Sequence, residues 1–198
     1  MEFALVGPAL VLLFFGTVGV GITLGRYVQA LSICRDLAHM YADGVDFSQT
    51  MNQNIAVQLA HGTGMTATGG NGVVIFTRIS TVYQADCDAS GFGSSCGNLN
   101  QAVITQRLVL GNPALHQSAY GTPTPSLIDN LGNISPSVYL QNTDASVRAA
   151  NFTAQLTGAG AVQGQGDAAY AVEVYIPYAD VSFLGFYTPG GAYVSYIF

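Results

Sequence analysis

Cys87 and Cys96 are the side chains best placed to make a covalent bond. Eight residues separate them in CDASGFGSSC, a run rich in Gly, Ser and Asp that reads as a loop needing a staple. A disulfide there would stabilise the fold by about 2 to 3 kcal/mol through the unfolded chain and would imply an oxidising, periplasmic or extracellular location. The alternative is a pair of exposed free thiols in a reducing compartment. Catalysis has weaker support. The three histidines, His39, His61 and His116, fall in unrelated contexts, and no serine sits in a nucleophile elbow. CxxC, HExxH and CxxCH are all absent, so neither zinc nor covalently attached haem has a motif, and no metal or other cofactor is expected. Asp86 and Asp88 flank Cys87 without EF-hand spacing, which reads as a solvated loop tip. Two sequons, Asn133-Ile-Ser135 and Asn151-Phe-Thr153, matter only in a host that glycosylates them. A chain with this inventory is expected not to be an enzyme.

Composition narrows the classes further. The 198 residues suit one domain with an additional element. Five Arg, no Lys and eleven acidic residues give a formal net charge of -6, with no basic cluster, so contact with nucleic acid is not expected. Hydrophobic residues make up 49% of the chain and charged ones only 8%, which excludes general disorder and leaves a surface poor in charge.

The apolar residues concentrate at the start. Phe3 to Leu24 is a run of 22 without an ionisable side chain, and as a helix it would cover about 33 Å against a hydrocarbon core of about 30 Å. A signal peptide would need a basic n-region, whereas only Met1 and Glu2 precede the run. A plain anchor would place the C-terminal bulk inside by the positive-inside rule, since Arg26 and Arg35 follow the span. The cysteine pair argues for the outside instead, and Met1 is then expected to be a processed end whose basic leader has been cut away. From Arg26 to Asp43 the apolar Tyr27, Ala30, Leu31, Cys34, Leu37, Ala38 and Tyr41 recur at three- and four-residue spacing. This predicts one helix of about forty residues, roughly 60 Å long, closed by Gly44, with Cys34 as a buried hydrophobe and His39 on the polar face.

A second helix is predicted over Phe47 to Ala60, capped by Asp46 or Ser48, with Met51, Ile55 and Leu59 stacked along it and Gly62 ending it. The period then changes to two. Gly72–Tyr83, Gln101–Leu110, Ala168–Ile176 and Ala192–Phe198, rich in β-branched and aromatic residues and bounded by Gly, Pro and Asn, read as four antiparallel strands. Arg78, Arg107 and Glu173 fall mid-strand and are expected on the solvent face or paired across it. The long connection Gly111 to Asp167 holds one helical candidate, Ala145 to Leu156, and otherwise reads as recognition loop or as an insertion wrapping the sheet. The fold class is therefore α+β, a long N-terminal helix packed on an antiparallel sheet of about four strands. Residues 1–45 form the span and helix, and residues 46–198 form the head.

The EFAL start, Pro8 early in the apolar span, Gly25-Arg26 and the stretch RDLAHMYADGVDFS together resemble the TadE-like family of bacterial pilins and pseudopilins, in the type IV pilin superfamily. The resemblance is specific over about the first fifty residues; the continuations QNIAVQLAHGTGMT and GNGVVI extend a weaker resemblance towards the first strand, and the remaining strands and loops match only the general pilin architecture. It implies cleavage by a prepilin peptidase, insertion in the bacterial inner membrane, and assembly by a pilus machinery through the N-terminal helix. Met1, Glu2, Phe3 and Pro8 would be assembly residues. A carboxylate at the edge of an apolar span is costly in hydrocarbon, and an N-terminal ammonium, its own or a neighbour's, is the nearest counter-charge for Glu2. The expected function is a structural subunit of an extracellular helical homopolymer. The alternatives are a minor pseudopilin of an assembly or secretion machine, or a membrane-anchored surface binding module.

Overall fold

A computed structural model describes residues 2–141, 145–152, 168–178, 181–183, 186–188 and 190–198. Helix α1 (Glu2–Ala42) is continuous for 41 residues, about 60 Å. Its C-terminal end is fixed by chemistry local to the chain. Gly44 takes φ +86°, its N–H donates to Tyr41 O at 3.1 Å, and the Val45 N–H donates to Met40 O at 2.9 Å. Those two bonds form a Schellman motif, and the left-handed residue that it requires is the predicted glycine.

Helix α2 (Thr50–Leu59) is shorter than the predicted Phe47–Ala60. Neither Asp46 nor Ser48 caps it: Gln49 stands at the cap position with no side-chain bond to the helix. The Asp46 carboxylate instead accepts from Ser48 N at 2.9 Å and Gln49 Nε2 at 3.1 Å, closing the turn before the helix. A ribbon of β1 (Met65–Thr66) and β2 (Gly69–Gly70) follows. Then come β3 (Val73–Thr81), α3 (Gln84–Ala89), β4 (Ala102–Gly111), α4 (Pro136–Gln141), β5 (Ala168–Ile176), the pair β6 (Val181–Phe183) and β7 (Phe186–Thr188), and β8 (Ala192–Ile197). Strands β4-β3-β5-β8 form one antiparallel sheet in that order, so the four predicted strands are the four of the sheet.

Each face of the sheet carries its own core. Ala30, Ile33, Cys34, Leu37, Ala38 and Tyr41 of α1 pack on Val74 and Phe76 of β3, Val172, Val174 and Ile176 of β5, and Val194 of β8. Tyr27 and Leu31, predicted on the same stripe, are exposed, and Ile33 takes the place in the core. The docking face is therefore narrower than the sequence pattern and begins only at Ala30. On the opposite face, Ile79, Ile104, Ala169 and Ala171 are covered by Tyr120, Ile134, Val147, Ala149 and Phe152 from the connection between β4 and β5. That connection wraps the sheet. Of its predicted helix Ala145–Leu156, Ala145–Val147 form a single 3-10 turn and Arg148 then bridges to Val103, because the chain is drawn along the β4 edge; residues 153–156 lie outside the described set.

This wrapping overturns the expected exposure of two strand residues. Arg107 and Glu173 are buried, at 7% and 1% exposure, because the connection forms a second layer over their face; only Arg78 is exposed. His39 is exposed, as expected of the polar face, and its ring lies 4.3 Å from that of Phe198. Met51, Ile55 and Leu59 remain exposed, whereas Ala56 and Ala60 are the buried residues of that region.

Candidate functional site

The candidate site is the first half of α1. Cys34 Sγ approaches Val172 O at 3.2 Å and Val194 O at 3.7 Å, and His39 meets Phe198, so α1 runs toward the start of β5 and the end of β8. Its N-terminal half therefore leaves the head where β5 ends and β8 begins. From Val6 to Leu24 that half is exposed: eleven large hydrophobic side chains include Leu13 at 65%, Phe14 at 63% and Val20 at 69%. Burying each such side chain stabilises by roughly 1.5 to 3 kcal/mol, so together they outweigh the whole stability of an ordinary domain, roughly 5 to 15 kcal/mol. A surface of this kind requires lipid or apolar protein around it. The stretch from Val6 to Ala42 is long and apolar enough to cross a membrane.

The predicted assembly residues fall as follows. Met1 lies outside the described residues; Glu2 and Phe3 occupy the first turn of α1. Pro8 is exposed within the helix, where it cannot donate to the Ala4 carbonyl. Thr17 and Thr23, the hydroxyl residues of the apolar half, return their O–H groups to the helix itself, at Phe14 O (2.9 Å) and Gly19 O (3.0 Å). The span thus presents no free hydroxyl from either threonine, in keeping with an apolar surround.

Cys87 and Cys96 are bonded to one another, with Cα atoms 5.8 Å apart. The bridge ties α3 to the turn at Gly93–Ser95 and packs on Val82, Val103 and Leu140, forming a third small core beyond the end of β3. The disulfide and the apolar helix therefore lie at opposite ends of the sheet. Sequence reasoning brought together neither these two ends nor the polar cluster described next.

That cluster lies beneath the wrapping connection. Glu173 accepts from Ser118 Oγ, from Ala119 N at 2.8 Å and from Tyr193 Oη at 2.7 Å. His116 stacks against Tyr175 and Tyr193, with ring centroids 5.3 and 4.4 Å away. Arg107 Nη2 donates to Gly121 O at 2.7 Å. Burial lowers the Arg107 pKa to about 10, opposed by the charge of Glu173, and the side chain is still a cation at neutral pH. Burial, then the bond to Glu173, pushes the Tyr193 phenol well above its ordinary value. The cluster pins residues 116–121 to the sheet. Sequence reasoning missed this cluster: the alternation in AAYAVEVYI turns Glu173 away from the α1 side but does not show that residues 118–121 cover it.

Among the described residues no group of three or more His, Cys, Asp or Glu could hold a metal ion. No curated protein and no solved structure matches the chain. The family model of TadE-like proteins matches residues 1–39, which is the exposed half of α1 together with most of its docking stripe. The chain is thus similar to TadE-like, pilus-associated proteins through the helix whose apolar half stands clear of the head.

Proposed function

We propose that this chain is the structural subunit of a pilus-like extracellular filament, held in the bacterial inner membrane before assembly and polymerising through α1. One observation carries the reading. A single continuous helix is half docked on a folded head and half apolar on every side, so the same surface suits lipid first and sister helices afterwards. Head-to-tail contacts whose rotation does not close would place those helices in a central bundle and the heads around it. Glu2 is then the assembly carboxylate, answered in the bundle by a neighbour's N-terminal ammonium. The disulfide-stapled head suits an oxidising exterior.

The test uses material sheared from cells that make the protein. The chain should dominate long filaments, and Glu2→Gln should lower filament yield while membrane insertion stays intact. Normal yield from that variant removes the role of Glu2. Scarcity of the chain in filaments makes it a minor pseudopilin, and retention of all of it in the membrane fraction makes it an anchored module.

A further inference from the structure

The end of the sheet away from the exposed half of α1 holds a polar cleft of about 290 Å³, enclosed by β3, β4, α3 and α4. A β-bulge shapes it. Arg78 pairs with Gln106 and Ile79 with Ile104, so Thr105 is an extra residue on β4, and its hydroxyl donates to Arg78 O at 3.2 Å. Bulges re-aim the side chains beside them. Arg78 is the exposed residue here, with its guanidinium carbon 5.8 Å from the centroid of Tyr170.

Arg78 is unlike the other four arginines. Arg26 donates to Gln29, Arg35 pairs with Asp36, Arg107 donates to Gly121 and Arg148 donates to Asn98. Among the described residues no carboxylate lies within ion-pair distance of Arg78, and neither the Ser80 nor the Tyr139 hydroxyl in the cleft has a hydrogen-bond partner. The Asp86 carboxylate, also in the lining, accepts from Tyr83 N at 2.8 Å through one oxygen. The cleft thus offers one cation, one carboxylate and hydroxyl groups. A bare anion would use Arg78 but be repelled by Asp86, whereas a hydroxylated acid satisfies both, since its hydroxyls donate to Asp86. The lining residues Val82, Ile134 and Leu140 are themselves core, at 1 to 3% exposure, which limits the accessible apolar surface of the cleft to Pro136 and the Tyr139 ring.

We propose that this cleft binds a hexuronic acid unit, its carboxylate on Arg78 and its ring hydroxyls on Ser80, Asp86 and Tyr139. The site faces away from the apolar half of α1 and requires no polymer, so it stands independently of the filament reading. A free sugar acid and the same unit within a polysaccharide share this chemistry.

The full chain in detergent micelles is titrated with glucuronic acid, glucose, acetate, a short peptide with a free carboxylate and a short oligouronide, and followed by amide chemical shifts and calorimetry. Glucuronic acid should perturb Arg78, Ser80, Asp86 and Tyr139 and bind about tenfold tighter than glucose or acetate, the ordinary worth of a charged hydrogen-bonded contact. Arg78→Gln should reduce it to the level of glucose, while Arg35→Gln leaves it unchanged. If Arg78→Gln lowers the melting temperature, Tyr139→Phe replaces it, with an expected weakening of roughly threefold. Tighter binding of the oligouronide assigns the site to a polymer, and equal binding assigns it to the free acid. Binding of acetate, glucose or the peptide as tightly as glucuronic acid overturns the proposal, as does unchanged binding by Arg78→Gln in a folded protein.

Discussion

Glu173 shows how little of a residue's role is set by its neighbours in sequence. Its carboxylate sits in a strand whose alternation turns it from the α1 side, and it is buried because residues 118–121 fold over it. Replacing it with Ala leaves Tyr193 and the Ala119 N–H unpaired and should lower stability by about 2 to 4 kcal/mol, measured by denaturant unfolding in detergent. The phenols around it add a pH dependence of definite sign. Burial raises the pKa of both Tyr120 and Tyr193 in the folded state, whereas in the unfolded state they ionise near 10. Their contribution is therefore complete below about pH 10 and is lost as pH rises further, because the unfolded chain gives up those protons first. Tyrosine ionisation followed by ultraviolet absorbance should accordingly coincide with loss of circular dichroism for these groups; titration of every tyrosine before unfolding would contradict it. Cys87→Ser should cost about 2 to 3 kcal/mol in the same unfolding assay, since the bridge closes a loop of sequence separation 9.

At the scale of elements, α1 divides into two halves with separate duties. Leu37 is fully buried against the sheet, and Leu37→Ala should destabilise the head by about 2 to 5 kcal/mol. Leu13 is exposed, and Leu13→Ala should leave head unfolding within about 0.5 kcal/mol of the original while weakening self-association. Unfolding and filament yield measured on the same two variants test that division. The strands were legible because β-branched and aromatic residues alternate between Gly- and Pro-marked ends, and the α1 terminus because Gly44 is the residue that can take a left-handed conformation there. The second helix was overextended because Asp46 satisfies a turn rather than a helix end, two uses of one side chain that local sequence does not separate. The bulge at Thr105 was equally hidden, since one added residue leaves the pattern of apolar positions almost unaltered.

For the molecule as a whole, the exposed half of α1 governs behaviour in solution. Removing detergent from the purified chain should drive it into large assemblies, followed by light scattering; a monodisperse monomer in plain buffer would contradict the reading of that surface. The long apolar helix, the period-two strands, the cysteine staple and the acidic, lysine-free composition follow from the sequence alone, because each depends on residues close together in the chain. Which strand faces carry charge, what lies over Glu173 and Arg107, and where Arg78 opens to a cleft were decided only by tertiary structure. Those outcomes depend on how a connection of more than fifty residues packs back on the sheet, and the identity of the covering residues is set by contacts distant in sequence, which no local pattern records.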